Sequence, residues 1–172
     1  MAGELIAYKF LASGSIGPFT HFRWEADTWV DAKAVDPCRV GIHACRAVDL
    51  PLWLDEELWE MELGGQIVAG ERKIVATRGR LTQRIERWTP SLAHEFGRFC
   101  ARRTRERVGF LPILSGFVAD VDRFVAQNRI AIAGLAAARA AELRDGAAAY
   151  EAERRAQASW LCERLELEEP IT

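Results

Sequence analysis

The chain has 172 residues, enough for one well-cored domain or a domain with an appended helical part, and its 49% hydrophobic and 28% charged residues are ordinary for a globular protein. A net charge of −2, with thirteen acidic and eleven basic groups over residues 1–88 and twelve of each over 89–172, excludes a polybasic or polyacidic module and a whole-chain field that would draw nucleic acid. No apolar run approaches the ~20 residues of a membrane span, and "MAGELIAYKF" lacks the features of a signal peptide, so the expectation is a cytoplasmic protein with reduced thiols at Cys38, Cys45, Cys100 and Cys162.

Along the first half, short apolar segments alternate with Gly, Pro and Asp. "LIAYKFL" (5–11) reads as a strand running into the turn-rich "ASGSIGP"; "FTHFRW" (19–24) and "TWV" (28–30) read as two more around an acidic turn. "RVGIHAC" (39–45) is a short, small-residued strand. "DLPLWLDEEL" (49–58) predicts a brief helix with Asp49 as cap and Pro51 in its first turn. "LWEMELGG" (58–65) alternates with a period near two, and residues 66–79 supply one or two further strands. The character changes near "WTPS" (88–91), which marks a boundary between a sheet-rich part, 1–88, and a helical part, 89–172. Thr89-Pro90 starts a helix with Leu92, Phe96, Phe99 and Cys100 on one stripe. A second stripe runs from Leu114 through Phe117, Val118, Val121, Phe124 and Val125 towards Ile132 and Leu135. "RDG" (144–146) breaks the chain, and a last helix from about Ala147 to Leu165 places Ala149, Ala152, Ala156 and Ser159 on a small-residue face suited to close helix contact.

The densest chemistry lies in "CRVGIHAC", Cys38 to Cys45. On a strand, Gly41, His43 and Cys45 share one face and Val40, Ile42 and Ala44 the other, while Cys38 joins the first group only if the chain turns at "PCRVG". Three readings follow. Cys38, His43 and Cys45 supply three zinc ligands, with His21 a conceivable fourth. His43, ordinarily titrating near ~6.5, serves as acid or base beside a Cys45 thiol that acts as partner or nucleophile. Or the segment is a packed strand whose small residues admit a close neighbour and whose imidazole is satisfied inside. The packed strand is preferred, His43 without metal comes second, and zinc is not favoured.

The succession "CRVGIHAC", "DLPLWL", "WEMELGG" and "RKIVATRGRL" resembles a small domain of phage-related and actinobacterial proteins, in which a Cys, Gly, apolar, His-Ala-Cys block precedes a short helix and two strands. The likeness covers roughly residues 5–88 and implies a shared fold, with no activity to carry over. A fainter resemblance is to the ADP-ribosyltransferase fold, through Tyr8 and Lys9 of "AYKF" and through "GIHACRAVDL". It implies cofactor contacts from Tyr8 and Lys9, and makes Glu60 and Glu62 the nearest positions for that fold's catalytic glutamate. The first strand lacks the usual Arg or His, so the form implied is a degenerate, non-catalytic relative.

Elsewhere, Arg98, Arg102 and Arg105 share a helix face suited to phosphates, but Glu95 and Glu106 interleave and no stacking aromatic is evident, so the face reads as solvated. "ASGSIGP" lacks the lysine of a phosphate loop, and His94 falls in the first turn of a helix. The expectation is an α+β protein: a mixed or antiparallel N-terminal sheet with one short helix, then three or four helices. Its function reads as a non-catalytic ligand-binding or protein-interaction module, a homo-oligomer or a partner to another protein through its C-terminal helices, with no membrane role and nucleic acid not favoured. The alternative is a small enzyme with a pocket between sheet and helices that uses His43 and Cys45.

Overall fold

"LIAYKFL" forms a strand, β1 (Leu5–Leu11), paired antiparallel with β4 (Glu57–Ala69) from Leu5 opposite Leu63 to Leu11 opposite Glu57. β4 pairs in turn with β5 (Ile74–Arg84), whose other edge receives both β2 (Val30–Asp31) and β3 (Ile42–Ala44). Just past β3, Cys45 reaches the remaining edge of β1: its N–H donates to the Tyr8 carbonyl and the Tyr8 N–H donates back, each at 2.8 Å. β1, β4, β5 and β3 therefore make a ring of hydrogen-bonded neighbours, and closure satisfies backbone groups that an open edge would leave to water. The structure, a computed structural model, describes residues 5–36 and 39–167. Contacts within the chain divide it at Trp88–Thr89 into two units, the sheet and a set of helices. The α+β arrangement expected from the sequence is the one observed, with an antiparallel sheet.

The interior of the ring holds Ala7 and Leu11 of β1, Ile42 and Ala44 of β3, Met61 and Leu63 of β4, and Ile74, Ala76 and Leu81 of β5, together with Trp24. Ile74 and Leu81 would face opposite sides of a regular pleat. The register shift between Gly64 and Ile67 brings both inward, which is what a bulge does to the strand pairing around it. Residues 12–29 carry turns and isolated bridges in place of the strand expected over 19–24, and of the strand expected over 28–30 only Val30 is realised, as the first residue of β2. Ser15, His21 and Asp27 all take left-handed backbone, at φ of 59°, 55° and 58°, which breaks any extended run. Glu57 holds this loop from the start of β4, accepting from the Gly14 N–H at 2.9 Å, the Ser15 N–H at 3.2 Å and the Trp59 indole at 3.1 Å. Burial opposes its charge, but the Trp59 indole, the Gly14 amide, Arg84 and Ser15 together keep its pKa below the ordinary 4.5. The helix expected over 49–58 is a shorter 3-10 helix, Ala47–Leu52, because Glu57 and Leu58 are taken up as the first residues of β4 opposite Leu11 and Phe10.

Among the described residues the second unit has four helices: α1 (Pro90–Val108), α2 (Gly116–Ala126), α3 (Ile130–Asp145) and α4 (Ala147–Leu165). Thr89 caps α1, its hydroxyl accepting from the Leu92 N–H at 3.1 Å, with Pro90 in the first turn. The apolar stripe that runs from Leu114 towards Leu135 is split into α2 and α3 by Asn128, at φ 57°. Close packing inside the unit comes from α3, whose Ala133, Ala137, Ala138, Ala140 and Ala141 are buried. At Gly134 a Cβ would come within 3.3 Å of Gln157 on α4 and 3.4 Å of Phe96 on α1, so the absent side chain lets three helices meet. By contrast Ala152 and Ser159 of the small-residue face on α4 are exposed. Among the described residues no helix is long and apolar enough to cross a membrane.

Candidate functional site

The alternation read from "RVGIHAC" holds over the three residues of β3, whereas Val40, grouped with Ile42 and Ala44 from the sequence, is exposed because Gly41 interrupts the extended run; the structure adds which side is inside. Ile42 and Ala44 point into the ring, so the half-buried His43 lies on the outer face. Gly41 turns the chain into β3 at φ +128°, a conformation in which a Cβ would also meet Val75 at 2.4 Å. The Gly41 carbonyl lies 3.1 Å from His43 Nδ1. A carbonyl only accepts, so Nδ1 carries the proton of the neutral ring and Nε2 is left as the basic nitrogen. Burial, then the Lys73 and Lys9 ammonium groups, lower the pKa of His43 below its ordinary 6.5 against the pull of the Gly41 carbonyl. The imidazole is therefore neutral at pH 7.

Cys45 follows on the same parity but is 2% exposed. Burial, reinforced by the Asp49 carboxylate, raises its pKa well above the ordinary 9.0, with Lys9 and Arg46 pulling weakly the other way. A nucleophilic cysteine needs the reverse, an accessible sulfur with a stabilised thiolate. Cys38 falls outside the described residues, and with it the complete Cys38, His43, Cys45 ligand set. Among the described residues no three His, Cys, Asp or Glu side chains gather to hold a metal, and His21 is exposed in the loop before β2.

Tyr8 and Lys9 occupy opposite faces of β1. Lys9 stands between Ala7 and Leu11 on the inner face, opposite Trp59 of β4. Its Nζ donates to the His43 carbonyl at 2.5 Å and lies 5.1 Å from the centre of the Trp24 ring. Burial pushes its pKa from 10.5 down to about 8, with Cys45 acting slightly in the opposite direction. The ammonium thus braces β3 against β1 from within the ring, a structural use of the residue. Glu60 and Glu62 are also committed, Glu60 accepting from the Thr82 hydroxyl at 3.0 Å and Glu62 from Arg80 Nε at 2.6 Å.

A second cluster lies wholly in the helical unit. Glu95, Arg98, Phe99 and Arg102 of α1 and Trp160 and Arg164 of α4 line a cleft of about 180 Å³. Phe99 stacks on Trp160 with centroids 5.3 Å apart and on the fully buried Phe96 at 6.4 Å, so the aromatic column is rooted in the core. Arg102 lies over Phe99 at 5.7 Å and Arg164 over Trp160 at 5.3 Å. Of the arginines grouped from the sequence, Arg105 is drawn away to Asp122 at 2.8 Å, and Arg164 takes the third place. Periodicity along α1 showed the first two guanidiniums. Nothing local could show that Trp160 and Arg164, some sixty residues on, complete the group. No protein-family model, curated protein or solved structure matches the chain.

Proposed function

We propose that this chain is a non-catalytic, cytoplasmic protein-interaction module that self-associates through one end of its helical unit, its first unit sharing a fold with the phage-related and actinobacterial domain it resembles. The observation that supports this is an apolar end left open to water. Phe110 and Ile113, between α1 and α2, are 64% and 91% exposed, and Leu143 near the end of α3 is 62% exposed. Arg144 ties these segments together, its guanidinium 5.2 Å from the Phe110 ring centre and hydrogen-bonded to the Arg107 carbonyl at 2.5 Å. α2, alongside, buries only Val121. Grouped exposed apolar side chains of this kind mark association surfaces. Light scattering over a concentration series should show wild-type self-association. Ile113→Asp should weaken it by roughly tenfold or more, because an isoleucine buried at the contact is worth about 1.5–3 kcal/mol. A wild type that stays monomeric throughout the series overturns self-association.

The enzyme reading, with His43 as acid or base and Cys45 as partner, has one observation on its side: Nδ1 is anchored on Gly41, which leaves Nε2 basic on a half-buried ring. It requires a reachable Cys45. Iodoacetamide treatment at neutral pH, followed by peptide mass spectrometry, should leave Cys45 unmodified in the native protein and modify it only in denaturant. Rapid native alkylation at Cys45 would favour the enzyme over the module.

A further inference from the structure

We propose that the α1–α4 cleft is a binding site for a small phosphomonoester, separate from the apolar end of the helical unit. Neighbouring arginines on the same helices already have anionic partners: Arg103 and Arg107 pair with Glu153, and Arg105 with Asp122. Among the described residues Arg98, Arg102 and Arg164 make no ion pair, yet they converge on one cleft with Phe99 and Trp160. Two of the three guanidiniums rest on aromatic faces that are themselves stacked back to the buried Phe96. That support reduces the conformational entropy lost when an anion binds, and the planar guanidinium suits the oxygens of a phosphate.

Charge selects among anions. Three guanidiniums and the Glu95 carboxylate leave the lining at +2. A phosphomonoester carries about −1.5 to −2 at neutral pH and matches that balance. A sulfate ester, with a single charge, matches it less well. Glu95 stands against a second phosphate, which disfavours a nucleic-acid strand. A cleft of about 180 Å³ accommodates the phosphate and a small organic group against Trp160.

The test uses the full-length protein labelled with nitrogen-15 and follows the Trp160 indole N–H, assigned with a Trp160→Phe variant, during titration with phenyl phosphate. A saturable shift is expected. Arg164→Gln should weaken binding roughly tenfold, the worth of one charge-assisted hydrogen bond, whereas Glu95→Gln should tighten it by removing repulsion. Both side chains lie at the cleft surface, and unchanged melting temperatures will show that the fold survives. Phenyl sulfate should bind more weakly than phenyl phosphate. A capped phosphotyrosine tripeptide separates the sources of the ester. Tighter binding than phenyl phosphate assigns the site to a phosphorylated protein segment; equal or weaker binding assigns it to a free metabolite. No saturable shift, indifference to Arg164→Gln, or equal affinity for sulfate and phosphate esters would overturn the proposal.

Discussion

Replacing Lys9 by methionine is expected to stabilise the sheet unit at neutral pH and to remove a specific pH dependence. Lys9 places an ammonium on the inner face of the ring, against Trp24 and the His43 carbonyl, and burial lowers its pKa from 10.5 to about 8. The unfolded chain therefore binds more protons than the folded one between about pH 8 and 10.5. Stability contributed by this group must rise with pH across that window, and below it the full cost of burying the charge is present. A shift of this size corresponds to about 3 kcal/mol, the upper end of the roughly 1.5–3 kcal/mol that a charge-assisted hydrogen bond such as the one to His43 returns. Cys45 and Cys100, both raised by burial, act in the opposite sense above about pH 9, since the unfolded thiols ionise there and the folded ones do not. The measurement is accordingly a difference. Urea unfolding of wild type and Lys9→Met at a series of pH values should show the wild type gaining about 3 kcal/mol on the variant between pH 8 and 10.5. A constant difference would mean that the ammonium reaches water.

The largest loss is expected at Glu153. Its carboxylate, with a side chain 2% exposed, accepts from Arg103 Nε at 3.0 Å and Nη2 at 2.9 Å and lies 3.5 Å from Arg107, joining α4 to α1. The hydrogen bonds that Arg103 donates to Glu153, then the charge of that carboxylate, raise the Arg103 pKa despite burial. Gln157, fully buried one turn further along α4, donates to the Gly134 carbonyl at 3.0 Å and brings α3 into the same network. Glu153→Ala leaves two half-buried guanidiniums facing each other across a cavity and should cost about 3 kcal/mol, the lower end of the range for breaking a buried pair because both arginines keep some water. Glu153→Gln retains most of the volume and isolates the charge. Urea unfolding followed by the helical circular dichroism signal reads both. A cost below ~1 kcal/mol for Glu153→Ala would show that the network relaxes into solvent, as exposed ion pairs do.

What the sequence by itself determined is local. Alternation along "LIAYKFL", the Thr89-Pro90 start of α1, the Asp145-Gly146 break before α4 and the shared parity of His43 and Cys45 each follow from φ/ψ preferences and from neighbours two to four residues away. Interruptions that depend on backbone conformation were less legible. Ser15, His21 and Asp27 turn a segment whose aromatic residues suggested strands, and Asn128 divides a continuous apolar stripe. The tertiary structure alone decided the rest. It showed which face of β3 is buried, because that follows from closing the ring between Cys45 and Tyr8, 37 residues earlier. It took Glu57 from a helix end to the strand that restrains Gly14 and Ser15. It replaced Arg105 with Arg164 beside Trp160, because Asp122 competes for one guanidinium while antiparallel packing delivers the other. Strand closure and charge pairing are settled by distances in space between residues far apart in the chain, and periodicity holds no record of those distances.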